Sequence, residues 1–286
     1  MEQSTTILKT IDGLRIFCRE LLVDAPRAEL LIVHGFGEHS GRYGHVMSYF
    51  AERGYSASAI DVRGHGRSDG RRGHCDRFSA FYDDVDALVD HVRGRASGAP
   101  LVLVAHSHGG LVGLGYSVNR DHPFAALVVS APLLRLKLPV PIWKTAAARF
   151  LSRVAPSLAL GNEIRSEDLT HDPQMVAAHK ADDLCLEVAT SRWYTEMVAA
   201  QGALVDRVAE LVTPLLLMQG SADKLVDPEA TRHFFELVPA ESKELQWYDG
   251  FYHEIFNETD RARVLADVER WLGTQLPETR AAEAHT

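Results

Sequence analysis

Ser107 stands in the run VAHSHGGL (residues 104–111), with a histidine on either side and two glycines behind it. A serine hydroxyl is a poor nucleophile until a base takes its proton. A sharp strand-to-helix turn can present it, provided the residues two before and two after are small, because the backbone crowds there. Those residues are Ala105 and Gly109, giving A-x-S-x-G, one methyl away from G-x-S-x-G, between the apolar run LVLV and a glycine-rich helix start. This marks Ser107 as the candidate nucleophile; the alternative is a serine that only caps the helix. His106 and His108 are poor candidates for its base, since neighbouring side chains at a tight turn diverge from the central one. They are expected to pack or hydrogen-bond beside the turn.

The base should come from another loop at the same end of the sheet. His253, in YDGFYHEIFNE, follows the last strand-like run through Gly250 and comes after both serine and acid in chain order. The acid must orient that imidazole and stabilise its cation. Two carboxylates compete in MQGSADKLVDPEA. Asp227 precedes Pro228 and Glu229, a helix N-cap followed by a first-turn proline and an acid at the positive end of the dipole. Asp223 has no such structural explanation and is assigned as the acid. The developing oxyanion needs two backbone N–H donors. The residue after the nucleophile, His108, supplies one, and Phe36 of HGFG the other.

The elements that must position these groups read as alternating strands and helices. TTILKTIDGLRIFCRE predicts a hairpin about Asp12-Gly13. AELLIVHG, YSASAIDVRG, PLVLVAH, FAALVVSAP, TPLLLMQGSAD and KELQWYDG read as strands, with helical spacing between them. The fold class is therefore α/β, an open and mostly parallel sheet with helices on both faces. Sites in such sheets lie beyond the carboxyl ends of the strands, where HGFGEH, DVRGHG and AHSHGG fall. The alternation stops over 132–212, which is expected to be a helical cap, with 1–131 and 213–278 forming the core and 279–286 a flexible tail. Within DVRGHGRS, Asp61, Arg63 and His65 are expected to tie loops together.

Hydrophobic residues make up 46 % of the 286 and charged ones 24 %, a balance that supports a large core. A net charge of −9 excludes a general nucleic-acid binder. Cys18, Cys75 and Cys185 lack metal-ligand spacing, and the odd count points to reduced thiols in a cytoplasmic protein. The opening MEQSTTILKT shows no signal-peptide pattern.

HGFGEHSGRY, DVRGHGRSDG, the serine turn, LLLMQGSADKLVD and YDGFYHEIFNE resemble, in this order, the monoacylglycerol lipase and lysophospholipase branch of the α/β-hydrolases. The resemblance covers nearly the whole chain, and GEHSGRY is its most specific piece. It implies the α/β-hydrolase fold, with Ser107, Asp223 and His253 matching the triad and Phe36 and His108 the oxyanion donors. It also implies hydrolysis of acyl esters of glycerol or related alcohols, without metal or cofactor. Two residues depart from the family pattern: Ala105 replaces the usual first glycine, and His108 a residue that is commonly methionine. The expected activity is that of a serine carboxylester hydrolase working through an acyl-enzyme. Lysophospholipase, thioesterase or peptidase chemistry on the same triad, or a ligand receptor built on an inactive hydrolase, are the alternatives.

Four residues are candidates for substrate contact. Glu38 and Arg42 continue from the oxyanion loop, where Glu38 would accept hydrogen bonds from a departing glycerol; alternatively the two pair with each other and hold the loop. Leu136 and Trp143 lie in LLRLKLPVPIW at the start of the cap, expected to govern acyl-chain length. That apolar lip either touches membrane or micelle surfaces or packs on the cap's own core.

Overall fold

The computed structural model describes residues 3–276 apart from 139 and 163; the tail expected over 279–286 lies outside the described residues. Eight strands form the main sheet: β1 (Ser4–Lys9), β2 (Arg15–Leu21), β3 (Glu29–Val33), β4 (Ser56–Ile60), β5 (Leu101–His106), β6 (Phe124–Ser130), β9 (Leu215–Gly220) and β10 (Lys243–Tyr248). Their order is β1-β2-β4-β3-β5-β6-β9-β10. The hairpin expected about Asp12-Gly13 joins β1 to β2, and these two strands make the antiparallel edge. Every pairing from β4 to β10 is parallel.

Side chains alternate across the parallel strands, so each strand feeds two cores. Leu31, Val33, Leu103, Ala105, Leu127, Val129, Leu215 and Leu217 face one core, with α2 (Ala80–Gly94) and α3 (His108–Asn119). Leu30, Ile32, Val102, Val104, Ala126, Val128, Leu216 and Met218 face the other, against α1 (Gly44–Ala51) and α8 (Arg261–Gln275). Burial on both faces is why these strands read as continuous apolar runs.

The chain leaves β3 towards β4 on one side and later places β5 on the other. That reversal opens a crevice beyond the carboxyl ends of β3 and β5. The segment between β6 and β9 holds α4 (Ile142–Val154), α5 (Pro173–Lys180) and α6 (Ser191–Asp206). Beside these helices it also holds a short ribbon not foreseen from the sequence: β7 (Ala159–Gly161) pairs antiparallel with β8 (Val188–Thr190). The two strands are three residues each, too short for an alternating pattern to register in the sequence. α7 (Pro228–Leu237) follows β9, and Phe234 on it is buried in the first core.

Candidate active site

Ser107 sits between the last residue of β5 and the first of α3, with φ 52° and ψ −115°. A non-glycine residue there is strained, and the surroundings hold it. The Ser107 amide donates to Ser130 O at 2.9 Å, and its carbonyl accepts from Leu111 N at 3.0 Å and Leu133 N at 2.9 Å. Gly109 is required by contact: a Cβ there would lie 2.3 Å from Val33 O and 2.5 Å from His34 O. Ala105 fits at the first small position, buried on β5.

His253 Nε2 lies 2.9 Å from Ser107 Oγ, and its Nδ1 lies 2.7 Å from Asp223 Oδ2. The structure thus brings together the three residues singled out from the sequence. Asp223 Oδ1 accepts from Leu225 N at 2.8 Å and Val226 N at 2.9 Å, while Oδ2 also accepts from Gln219 Nε2 at 3.0 Å. Its carboxylate is fully committed as an acceptor, so the His253 Nδ1 facing it carries a proton and Nε2 presents a lone pair to Ser107. Burial disfavours the Asp223 carboxylate, but His253 and the two amides outweigh it and lower its pKa. Burial likewise disfavours the His253 cation, yet the charge of Asp223 and its hydrogen bond raise the imidazole above its usual value. Asp227 instead caps α7, accepting from Glu229 N at 3.2 Å, and pairs with Arg135.

The neighbouring histidines take no part in that relay. His106 Nδ1 lies 3.2 Å from Ser130 Oγ, and its ring is 4.7 Å from that of His253. Burial, and then the charge of His253, push it down to about 4, so it stays neutral. His108 is enclosed by Phe36, Phe78, Phe81 and Trp193. Burial pushes it down to about 3. Among the described residues, the amides of Phe36 and His108 have no loop or turn acceptor. This leaves one unpaired amide on the loop after β3 and one at the first residue of α3, next to Ser107.

Glu38 and Arg42 do not face an open site. Glu38 is 4 % exposed, and its Oε1 accepts from Gly35 N at 2.6 Å and Tyr43 OH at 2.9 Å. Arg42 Nε lies 3.4 Å from Glu38 Oε2, and its Nη2 donates to Glu254 Oε2 at 2.5 Å. The expectation that Glu38 meets a departing alcohol is corrected: the pair braces the loop after β3 against the loop that carries His253. Burial opposes the Glu38 carboxylate, but His106 and Arg42 beside it hold it below the usual carboxylate range. Glu254 escaped the sequence reading because its partner lies 212 positions away.

Trp143 is likewise corrected as a pocket-lining residue. It is 69 % exposed, because α4 turns Ser152 inward to Thr195 of α6 at 2.8 Å and leaves Trp143 on the outer face. Leu136 pairs with Val226 in an isolated bridge and packs partly buried against the first core. Asp61 and Arg63 hold loops as expected: Asp61 accepts from Ser40 N at 2.7 Å and Arg67 N at 2.8 Å, and Arg63 pairs with Asp84 and Asp12.

The segment between β6 and β9 is stitched to the core beside the site. Leu186 N donates to Gly37 O at 2.8 Å and Thr190 N to Gly73 O at 2.9 Å. His39 Nδ1 accepts from Gly41 N at 3.1 Å, so its Nε2 carries the proton and donates to Asp182 at 2.8 Å. Cys185 completes a cluster with these two whose ligand atoms lie within 4.8 Å of one another. That tautomer aims a proton, not a lone pair, into the cluster, so it reads as a tie rather than a metal centre. Ser107 is 7 % exposed and His253 4 %.

The family model described as "Serine aminopeptidase, S33" matches residues 24–260. A monoacylglycerol lipase of Mycolicibacterium smegmatis is 32 % identical over 88 % of this chain and 90 % of its own. Phospholipase YtpA of Bacillus subtilis is 33 % identical over 84 % of this chain and 93 % of its own. The crystal structure of Paleococcus ferrophilus monoacylglycerol lipase superposes with a TM-score of 0.81 at 27 % identity, covering 96 % of this chain and 100 % of the other.

Proposed function

We propose, since this chain belongs to the serine aminopeptidase S33 family of α/β-hydrolases, that it is a serine carboxylester hydrolase acting on monoacylglycerols or similar acyl esters. The observation that carries the reading is the relay from Asp223 through His253 to Ser107, at 2.7 Å and 2.9 Å, on a strained turn. Ser107 Oγ attacks the ester carbonyl as His253 Nε2 takes its proton. The amides of Phe36 and His108 receive the negative charge on the carbonyl oxygen. His253 then returns the proton to the departing alcohol, leaving an acyl-enzyme. Water, activated by the same imidazole, releases the fatty acid and restores Ser107. Asp223 holds the imidazole in the required tautomer and stabilises its cation.

Residues 132–212 act as a cap over this centre. The outer face of α4 supports contact with a lipid surface. Trp143, Phe150 and Val154, spaced as one helical stripe, are 69 %, 65 % and 61 % exposed. Ile142, also exposed, stands beside the stripe at the start of α4, and Lys144, Arg149 and Arg153 flank it. An apolar stripe turned to water rather than to the core marks an interaction surface. No helix among the described residues is long and apolar enough to cross a membrane. Cys18, Cys75 and Cys185 are free, which supports the reading of a reducing, cytoplasmic setting.

The same triad serves several acyl compounds, so the decisive experiment is a panel. kcat/KM is measured at matched monomer concentrations for a monoacylglycerol, a lysophospholipid, a thioester and an amino-acid amide. Glycerol esters are expected to lead. A lead by the amide or the thioester would overturn the assignment.

A further inference from the structure

The indole of Trp193 touches both residues whose amides are read as oxyanion donors. Its ring lies 3.9 Å from the Phe36 ring at 34°, and its Nε1 donates to His108 Nε2 at 3.3 Å. Trp193 stands in the first turn of α6 and is itself held: its amide donates to Thr190 Oγ1 at 3.2 Å. Thr190 in turn hydrogen-bonds Gly73 O and lies 2.9 Å from His74 Nδ1. The indole is buried. An indole N–H only donates, so His108 Nε2 is the acceptor and its Nδ1 carries the proton. That Nδ1 is buried without a partner, so the Trp193 bond is the only polar anchor of the imidazole among the described residues. Burial keeps the ring neutral at working pH, so titration does not release the bond.

Oxyanion donors stabilise the transition state only if they are held where the charge develops, and small misplacements are costly. His108 opens α3 directly after the β5 turn, whereas Phe36 lies in the loop beyond the end of β3, past the last β3–β5 pairing at Val33 and Ala105, so strand pairing alone does not set the Phe36 amide against that of His108. We propose that Trp193 is a positioning residue for the oxyanion hole, bracing Phe36 by ring contact and His108 by its N–H, so that the cap and the hole are set together. The inference rests on the reading of Ser107 as nucleophile and of the Phe36 and His108 amides as donors.

The test uses Trp193→Phe, which keeps a ring on Phe36 and deletes the N–H. His108→Met deletes the acceptor, and His108→Gln offers a carbonyl in its place. Each is assayed on a soluble short-chain p-nitrophenyl ester and against a trifluoromethyl ketone. In that adduct a bond forms from Ser107 Oγ to the ketone carbon, the serine proton passes to His253, and the carbonyl oxygen becomes the oxyanion. Trp193→Phe and His108→Met are each expected to lower kcat about 10-fold and weaken the ketone by the same factor, with KM within about twofold, on the scale below outright removal of a donor. Combining the two should cost no more than either alone, and His108→Gln should recover part of the loss. Unchanged kcat and ketone affinity, a loss confined to KM, or multiplicative losses in the double variant would overturn the brace. Ser107→Ala separates the two levels: turnover surviving there sinks the underlying reading, whereas its loss beside a normal Trp193→Phe sinks the brace alone.

Discussion

Ser107 carries opposing demands. Its φ of 52° costs about 1–3 kcal/mol at a non-glycine residue, yet it aims the hydroxyl at His253. Ser107→Ala removes the nucleophile and keeps the strain; Ser107→Gly removes both. Part of the relief is returned as the extra freedom of glycine in the unfolded chain, about 0.5–1 kcal/mol. Calorimetry should therefore find Ser107→Gly melting about 2–3 °C above Ser107→Ala, since each kcal/mol moves Tm by roughly that much in a large domain. Equal melting temperatures would mean that the turn is relaxed. Both variants, like His253→Ala, should lose about four to six orders of magnitude in kcat. The base also sets a pH limit. His253 must be neutral to accept the proton, and its pKa is raised by Asp223 against the pull of burial. Activity is thus full above that raised value and falls as pH drops through it, tenfold per unit. The acid limb of kcat/KM should have its midpoint above the ordinary histidine value of about 6.5; a midpoint below that value would show the imidazole is not sustained by its carboxylate.

At the scale of elements, the turn after β9 holds two carboxylates four residues apart with different work. Asp223 takes four donors: Leu225 N, Val226 N, Gln219 Nε2 and His253 Nδ1. An asparagine must point its NH₂ at some of them, and the relief is for His253 to shift its proton to Nε2, where it no longer accepts from Ser107. Asp223→Asn should therefore lose about 10⁴-fold in kcat. Asp227→Asn keeps a competent cap on α7 and loses only surface pairs with Arg135 and Lys137, so activity and stability should hardly move. Similar losses in the two variants would reverse this division of labour. The carboxylates could be told apart in the sequence because capping has a local signature in Pro228 and Glu229. The same holds for the turn at Ser107, whose small neighbours are a local need, and for the parallel strands, whose two-sided burial is written in apolar runs. What the sequence left open depends on distant partners. Whether Glu38 meets solvent or Arg42 turns on Glu254 and Tyr43, which close the loop. Trp193 lies in no motif, and its partners Phe36 and His108 meet it only once α6 is laid over the sheet. The direction of α4 was equally hidden. Its pattern is amphipathic, but which face turns inward depends on Ser152 finding Thr195 on α6.

At the scale of the molecule, that orientation gives the protein a front. The relay is covered, with Ser107 7 % and His253 4 % exposed, while the largest apolar side chains left in water cluster on α4. A lipid surface would take up Ile142, Trp143 and Phe150, each contributing about 1.5–3 kcal/mol if fully buried. The overall charge of −9 opposes a strongly anionic membrane, although Lys144, Arg149 and Arg153 make the face itself basic. Neutral bilayers are therefore the appropriate probe, here vesicles of phosphatidylcholine containing a long-chain monoacylglycerol. Trp143→Ser with Phe150→Ser should lower turnover of the vesicle-borne substrate at least about 10-fold, because two apolar contacts leave the interface. The same variant should hydrolyse a monomeric short-chain ester at the native rate, since neither side chain touches the relay. Vesicle co-sedimentation should fall in parallel with vesicle turnover. An equal loss on both substrates would place these residues in the pocket after all, and no loss on either would leave the outward stripe without a role in reaching lipid.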